Sequence, residues 1–233
     1  MNGSVGGYVA ALPGDYLTSK KTYPLLLAVH GINECGNGTT DLYKIENKGI
    51  PGLITKNLFP QTFTCGKNSF NMLVVAPQFK SFPGAATLNY TLDYIIHHYR
   101  VDTTRIYLTG YSMGGGVAWE FAATYGKRIA AVVPVCGAST PSTTKAAAIA
   151  KTGVAVWAFH NNGDPKIACG NTINYVNYIN AAHPLIAAKK TIFIADKHNA
   201  WNSAYNINYK ENNMNVFEWM LQYKRNKTTI SKQ

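Results

Sequence analysis

The sequence is poor in acidic residues and contains no long apolar run. Its 233 residues include 11 Asp or Glu against 22 Lys or Arg, a formal net charge of +11. Such a charge can favour anionic partners. The lysines are scattered, however, and no basic block with interleaved aromatic residues is present, so we expect no nucleic-acid partner. No run reaches the roughly 18 apolar residues that a membrane helix needs, so we expect no membrane span.

Cysteine is also scarce. The four cysteines, Cys35, Cys65, Cys136 and Cys169, show no C-x-x-C spacing, which argues against a structural zinc site, and we expect neither metal nor cofactor. An even count permits two disulfides with three possible connectivities. Cys136 and Cys169 follow neighbouring predicted strands and are a possible pair. Four free thiols are the alternative.

The first seven residues lack the basic-then-apolar order of a signal peptide. Hydrophobic residues make up 46% of the sequence, which is sufficient to form the buried core of a domain of ordinary size. No internal repeat, linker or composition break divides the chain. We therefore predict a single domain over residues 1–233.

Apolar runs that predict buried strands alternate with helical patterns. The runs follow an early edge strand at 5–12 and occupy residues 23–31, 71–77, 106–109, 130–136, 154–160 and 190–195. The helical patterns occupy 87–100, a segment from about residue 112, 146–151, 172–182 and 215–223, with one short helix near 52–58 inside a long Gly-, Asn- and Pro-rich connection. This alternation predicts an α/β fold with a mostly parallel, doubly wound sheet, helices on both faces and no large lid domain.

One strand–helix junction carries a nucleophile-elbow pattern, Gly110-Tyr-Ser-Met-Gly114. A serine in so tight a turn has a strained backbone, and side chains at the two glycine positions would collide. The strain exposes the Ser112 hydroxyl at the start of a helix. We predict Ser112 as a nucleophile. A Gly-rich turn that only packs is the alternative.

A serine nucleophile needs a base, and in this fold class the order along the chain is Ser, then Asp or Glu, then His. His198 lies in a loop just after the last predicted core strand, where parallel sheets collect their sites. His30 and His160 end strands but precede the serine or the acid. We predict His198 as the base. A loop histidine without a partner is the alternative.

The acid has two candidates. Asp164 follows the strand that ends near His160, in the position that the chain order requires. Asp196 is two residues before His198, and side chains so close in an extended loop usually point apart. We favour Asp164.

An acyl transfer also needs donors for the oxyanion. The backbone N–H of Met113, directly after the nucleophile, is one candidate. The N–H of Ile32, in the loop after the first buried strand, is the other, with Asn33 as an alternative. Tyr111 and Trp201 flank the predicted nucleophile and base, so we expect their rings to line a substrate cleft or simply to pack.

With these residues the chain resembles the α/β-hydrolase superfamily along nearly its whole length. It is most similar to phospholipase/carboxylesterase and dienelactone-hydrolase-like esterases, and to secreted bacterial "predicted peptidase" and feruloyl-esterase-like proteins. The elbow and the segment His198-Asn-Ala-Trp201 carry the most specific part of this likeness. The resemblance implies metal-free ester hydrolysis by Ser112, Asp164 and His198. It also implies a secreted or periplasmic location, with a leader that this sequence does not carry.

Two departures from these relatives concern the substrate. Asn33-Glu-Cys-Gly36 stands where relatives often carry Gly-Glu-Arg-Gly, and Pro165-Lys-Ile167 stands where they continue toward Val-Pro. We expect a small or polysaccharide-linked ester as substrate, such as an acetyl or feruloyl ester of plant polysaccharide. A serine peptidase on the same fold and a non-catalytic binding module are the alternatives.

Overall fold

A computed structural model of the chain describes residues 3–225. The strands within these residues are β1 (Val5–Ala11), β2 (Tyr23–Val29), β3 (Phe63–Cys65), β4 (Asn68–Phe70), β5 (Leu73–Phe79), β6 (Val101–Tyr111), β7 (Ala131–Val135), β8 (Ala155–Asn161) and β9 (Lys189–Phe193). The α-helices are α1 (Tyr43–Glu46), α2 (Gly49–Thr55), α3 (Ala85–His98), α4 (Met113–Tyr125), α5 (Thr143–Thr152), α6 (Cys169–Ala181), α7 (Trp201–Ala204) and α8 (Val216–Leu221). Single 3₁₀ turns cover Ile32–Glu34 and Gly126–Arg128.

A seven-stranded sheet forms the centre of the fold, in the order β1-β5-β2-β6-β7-β8-β9. The β1–β5 pair is antiparallel, and every other pair in this sheet is parallel. The continuous apolar runs explain this arrangement, because strands covered on both faces need apolar residues at every position. The predicted fold class, a mostly parallel sheet wound with helices, is confirmed.

The sheet separates two hydrophobic cores. Alternate side chains of β2 point to opposite faces: Leu25 and Leu27 join the core that contains α3 to α6, whereas Leu26 and Ala28 join the core that contains α1, α2 and α8. Both faces are therefore covered by helices, as predicted. Within the described residues no large lid lies over the sheet.

Several element boundaries differ from their predictions, and some short elements were not predicted. The elbow strand was predicted at 106–109 but begins at Val101, because polar and partly exposed residues at 102–105 interrupt the apolar pattern. Val101 pairs with Tyr23 of β2, and after a register shift the pairing resumes at Ile106. The short helix predicted near 52–58 is α2 and begins three residues earlier. The long connection also contains α1 and the small β3–β4 hairpin, whose three-residue strands are too short to give a periodic signal.

The winding of the chain brings several loops to one edge of the sheet. From β2 the chain crosses to β5 on one side, and it then returns to β6 on the other side. In sheets of this kind the crevice at such a reversal lies outside the carboxyl ends of the strands. The segments that follow β2, β6, β8 and β9 all reach this edge, and they carry the predicted site residues.

The four cysteines are all described, and none is joined to another. Cys136 is buried and the other three are half-buried. The possible Cys136–Cys169 pair is thus not formed, and the structure has four thiols. No helix among residues 3–225 is long and apolar enough to cross a membrane.

Candidate active site

Ser112 lies in a strained turn between β6 and α4. Its backbone has φ 55° and ψ −119°, a region that costs a residue other than glycine about 1–3 kcal/mol. A Cβ on Gly110 would lie 2.5 Å from the carbonyl of Gly114, and a Cβ on Gly114 would lie 2.2 Å from the carbonyl oxygen of Val29. Glycine is thus required on both sides of Ser112. The turn has the geometry that the Gly-x-Ser-x-Gly pattern predicts.

Three side chains from three loops form a continuous chain of hydrogen bonds. His198 Nε2 lies 2.8 Å from Ser112 Oγ, and His198 Nδ1 lies 2.6 Å from Asp164 Oδ2. A carboxylate can only accept, so Nδ1 carries a proton and Nε2 is left to accept from the serine hydroxyl. The structure therefore brings together the three residues that the chain order singled out. We call this arrangement the Ser–His–Asp chain.

The loop between β8 and α6 holds the Asp164 carboxylate from the side opposite to His198. Asp164 Oδ1 accepts from the backbone N–H groups of Lys166 at 2.9 Å and Ile167 at 3.1 Å. Burial alone would raise the pKa of Asp164, but the hydrogen bonds from His198, Ile167 and Lys166 outweigh it and hold the pKa below its usual value. The carboxylate is thus kept ionised and oriented toward His198.

Asn161 is a contributor that the sequence did not reveal. It ends β8 and is buried, and its side-chain amide donates to the Lys197 carbonyl at 2.6 Å and to Asn199 Oδ1 at 2.9 Å. These two partners flank His198 on either side. Asn161 therefore holds the histidine loop against the strand that leads to Asp164. A buried strand that ends in asparagine was the available signal.

A cleft of about 190 Å³ opens beside Ser112 and His198. Its other walls are Gly31, Ile32, Asn33 and Glu34 after β2, Lys48 before α2, Tyr111, Lys166 and Trp201. Ile32 begins a 3₁₀ turn and Met113 begins α4. The N–H of a residue in that position has no partner within its own helix. Both candidate oxyanion donors therefore lie next to the cleft with no partner in their own helix.

The two aromatic candidates pack against each other at the cleft. The rings of Tyr111 and Trp201 lie 4.5 Å apart between centroids, and Trp201 also contacts the His198 ring edge-on at 5.5 Å. Tyr111 is buried, and its hydroxyl is a buried side-chain polar atom without a hydrogen-bond partner in the described part of the chain. Both rings thus line the cleft; Trp201 contacts the histidine, and Tyr111 packs against Trp201.

Asp196, the competing acid, is exposed and makes no hydrogen bond to His198. Of the other histidines, His97 and His98 lie on α3 and His183 follows α6. None of these groups belongs to the cleft.

His30 and His160 are buried at strand ends behind the site. His30 Nδ1–H donates to the Gly31 carbonyl at 2.6 Å, and its Nε2 accepts the Phe79 N–H at 2.9 Å. Burial lowers the pKa of His30, and it also lowers the pKa of His160. Both rings are therefore neutral in the folded protein near neutral pH.

The described residues include one group of three potential metal ligands, Cys136, Asp164 and His198, whose ligand atoms lie within 4.8 Å of one another. Asp164 and His198 are already hydrogen-bonded to each other. Burial raises the pKa of the Cys136 thiol to about 12, which keeps it protonated. Asp164 and His198 are therefore engaged in the Ser–His–Asp chain, and a metal would have to displace their hydrogen bond and the thiol proton of Cys136.

We expect the free energy of unfolding to fall as the pH decreases from about 7 to 5. The unfolded chain then takes up protons on His30 and His160 near their ordinary pKa, whereas the folded protein keeps both rings neutral, so acid favours the unfolded state. The loss cannot exceed about 1.4 kcal/mol per pH unit for each histidine. Guanidinium unfolding at several pH values measures it.

The variant H160Q should show a shallower pH dependence, because glutamine does not titrate in either state. The variant H98Q, at an exposed position on α3, should leave the slope unchanged. A free energy of unfolding that does not vary over this pH range would contradict the assignment of two neutral buried histidines.

Comparison with known proteins places this geometry in a family. Residues 50–223 match the dienelactone hydrolase family. No curated protein matches the chain. Among solved structures, a thermostable esterase superposes with a TM-score of 0.68 at 22% identity, over 94% of this chain and 59% of that one. This chain thus spans 59% of the length of that esterase.

Two further solved structures match this chain over most of its length and over most of their own. A ferulic acid esterase has a TM-score of 0.62 and 17% identity, over 92% of this chain and 91% of its own. FphF, a fluorophosphonate-binding serine hydrolase of Staphylococcus aureus in a substrate-bound form, has a TM-score of 0.62 and 13% identity, over 88% and 92%. These likenesses show the fold. The family match covers well over half of the chain, and the protein therefore belongs to the dienelactone hydrolase family.

Proposed function

We propose that the protein hydrolyses carboxylic esters through an acyl-enzyme on Ser112, with His198 as general base and acid and Asp164 as the group that orients it. The observation that carries this proposal is the unbroken Ser–His–Asp chain, at 2.8 Å and 2.6 Å, on a strained turn beside an open cleft. A base at that distance can take the hydroxyl proton as the oxygen attacks.

In the first half of the reaction, Ser112 Oγ attacks the ester carbonyl carbon while its proton passes to His198 Nε2. The imidazolium that forms is stabilised by the ionised Asp164 at Nδ1. His198 then gives the proton to the leaving alcohol oxygen as the C–O bond breaks. The product of this half is the acyl-enzyme and a free alcohol.

In the second half, water takes the place of the alcohol. His198 Nε2 accepts a proton from the water as its oxygen attacks the acyl carbon, and it returns that proton to Ser112 Oγ as the acyl–serine bond breaks. The carboxylic acid leaves and the hydroxyl is restored. No protein side chain outside the Ser–His–Asp chain has to gain or lose a proton in this cycle.

Each tetrahedral intermediate carries a negative oxygen that needs donors. We assign this role to the backbone N–H groups of Met113 and Ile32, which begin their helical segments beside Ser112 and the cleft. Donors of this kind each contribute about 3–4 kcal/mol to transition-state stabilisation. Asn33 is the alternative to Ile32 in the same loop.

The walls of the cleft support a small or flat acyl group on a polar alcohol. Its volume of about 190 Å³ is below the usual range for drug-sized ligands, about 300–1,000 Å³. Tyr111 and Trp201 offer aromatic surface for a phenolic acyl group. Lys48 and Lys166, on opposite loops, line the cleft and form no ion pair with any described residue. Both lysines favour a substrate with anionic groups, such as an acidic polysaccharide.

A substrate panel tests this assignment. We expect p-nitrophenyl acetate or butyrate to have a kcat/KM at least about tenfold above that of the palmitate ester, because the cleft is short and no large lid covers it within residues 3–225. Methyl ferulate and acetylated polysaccharide should also be hydrolysed faster than long-chain lipid esters. Initial rates measured by absorbance and by acid release give the comparison.

The same panel includes a peptide p-nitroanilide, because the Ser–His–Asp chain is equally suited to amides. Faster turnover of the anilide than of any ester would replace the esterase proposal with a peptidase. Highest activity on the palmitate ester would contradict the short-acyl assignment and leave the ester chemistry intact.

A further inference from the structure

A second histidine lies directly behind the Asp164 carboxylate. His160 is the penultimate residue of β8, four residues before Asp164, and its side chain, like that of Asp164, has no exposed surface. Its Nε2 lies 3.0 Å from the Ile167 carbonyl oxygen and 3.5 Å from Asp164 Oδ2, and its Nδ1 lies 2.8 Å from Thr172 Oγ1. The ester mechanism above assigns His160 no task.

The partners of this ring determine where its proton lies. A carbonyl oxygen only accepts, so Nε2 carries the proton and donates to Ile167. Nδ1 of the neutral ring then accepts from the Thr172 hydroxyl, which lies on α6. The N–H of His160 is thereby directed to the side on which both Ile167 and Asp164 lie.

The loop that carries Asp164 needs such a support. Most of its residues between β8 and α6 are exposed, and it contains no regular structure before α6 begins. The peptide groups around Ile167 are held twice: the Ile167 carbonyl accepts from His160, and the Ile167 N–H donates to Asp164 Oδ1. The ring and the carboxylate thus hold the same loop segment from its two sides.

We infer that His160 is a positioning residue for the proposed reaction: with Thr172 it fixes the loop and the Asp164 carboxylate so that Oδ2 stays on His198 Nδ1. This inference rests on the proposed function. The neutral ring, 3.5 Å from Asp164 Oδ2, also adds no competing charge beside the carboxylate. His160 and Thr172 thus connect the loop that carries Asp164 to α6.

The variant H160F removes the donor and keeps a buried ring. We expect kcat for p-nitrophenyl acetate to fall about 10- to 100-fold, the scale of loss from a misplaced catalytic group, with little change in KM. A less well placed carboxylate makes the charged imidazolium of His198 harder to form. The acidic limb of the kcat/KM profile should therefore move to lower pH.

Two variants separate this role from general stability. The variant H160Q keeps an N–H donor for Ile167 and should recover part of kcat, and T172V should give a smaller loss in the same direction as H160F. The variant T91V is the matched control, because Thr91 is equally buried and its hydroxyl bonds the Thr87 carbonyl on α3, a helix that carries no residue of the site. T91V should lower the unfolding temperature and leave kcat and the pH profile unchanged.

The outcomes distinguish this inference from the proposal on which it rests. If wild-type activity does not depend on Ser112, the proposed function fails. If activity depends on Ser112 but folded H160F, H160Q and T172V keep the wild-type kcat and pH profile, only the inference about His160 is overturned. The inference about His160 is also overturned if the activity that these variants lose equals their loss of folded protein and is no larger than that of T91V.

Discussion

Replacing Ser112 with alanine is expected to lower kcat/KM for p-nitrophenyl acetate by at least about 10⁴-fold, because the acyl-enzyme can no longer form. His198 and the oxyanion donors remain in S112A, so some catalysis by positioned water persists. The fold should be retained or slightly stabilised, since alanine removes only the hydroxyl from a strained turn. Initial rates with purified protein, together with the unfolding temperature, measure both effects.

A matched control lies close to the cleft. Ser203 is on α7, two residues after Trp201, and its hydroxyl takes no part in the Ser–His–Asp chain. S203A should hydrolyse the ester at the wild-type rate. A fluorophosphonate probe should label the wild type and S203A, but not S112A. Equal rates for S112A and the wild type would show that Ser112 is not the nucleophile.

The elbow could be predicted from the sequence because its pattern lies within five consecutive residues, although one of its causes is remote. The collisions that exclude side chains at Gly110 and Gly114 arise within a few residues of Ser112 and from the adjacent strand β2. The base and the acid needed a longer argument. They were found because each follows a later parallel strand, and the carboxyl ends of those strands meet at one edge. The order of the three residues along the chain therefore predicted that their side chains lie close together.

The supports of the site could not be predicted in this way. Asn161 and His160 act on partners that the fold brings near: Asn161 reaches Lys197, which is 36 positions away, and His160 reaches α6. The one local signal, a buried strand that ends in polar residues, does not show which groups those residues hold. Since the position of a buried polar side chain depends on all its hydrogen-bond partners at once, these roles appear only in the folded chain.

The secondary structure shows the same difference between features that are set by local sequence and features that depend on remote contacts. Core strands such as β2 and β5 were predicted because seven consecutive buried positions leave a continuous apolar run. The β3–β4 hairpin was missed, since its packing depends on Phe63 and the distant Phe217 of α8, with ring centroids 5.3 Å apart. Short elements that are stabilised by remote contacts carry little periodicity of their own.

Asp164→Asn is expected to lower kcat/KM for the same ester by about 10⁴-fold, the loss expected when the base is held in the wrong tautomer. The loop decides how the new amide sits. The N–H groups of Lys166 and Ile167 both donate to the Oδ1 position, so the amide oxygen stays there and the amide nitrogen faces His198. A donor at that place requires His198 Nδ1 to accept, which moves the ring proton to Nε2.

An imidazole protonated at Nε2 cannot accept the proton of Ser112, so the loss in D164N reflects a wrong tautomer in an intact site. Unchanged KM and unfolding temperature, with a large fall in kcat, would show this. Asp196→Asn is the matched control: Asp196 is exposed and bonds no member of the Ser–His–Asp chain, so its variant should stay within about twofold of the wild type, as surface substitutions usually do. If D196N lost activity and D164N kept it, the acid would have to be reassigned to Asp196. The loop between β8 and α6 would then have no role in orienting the acid.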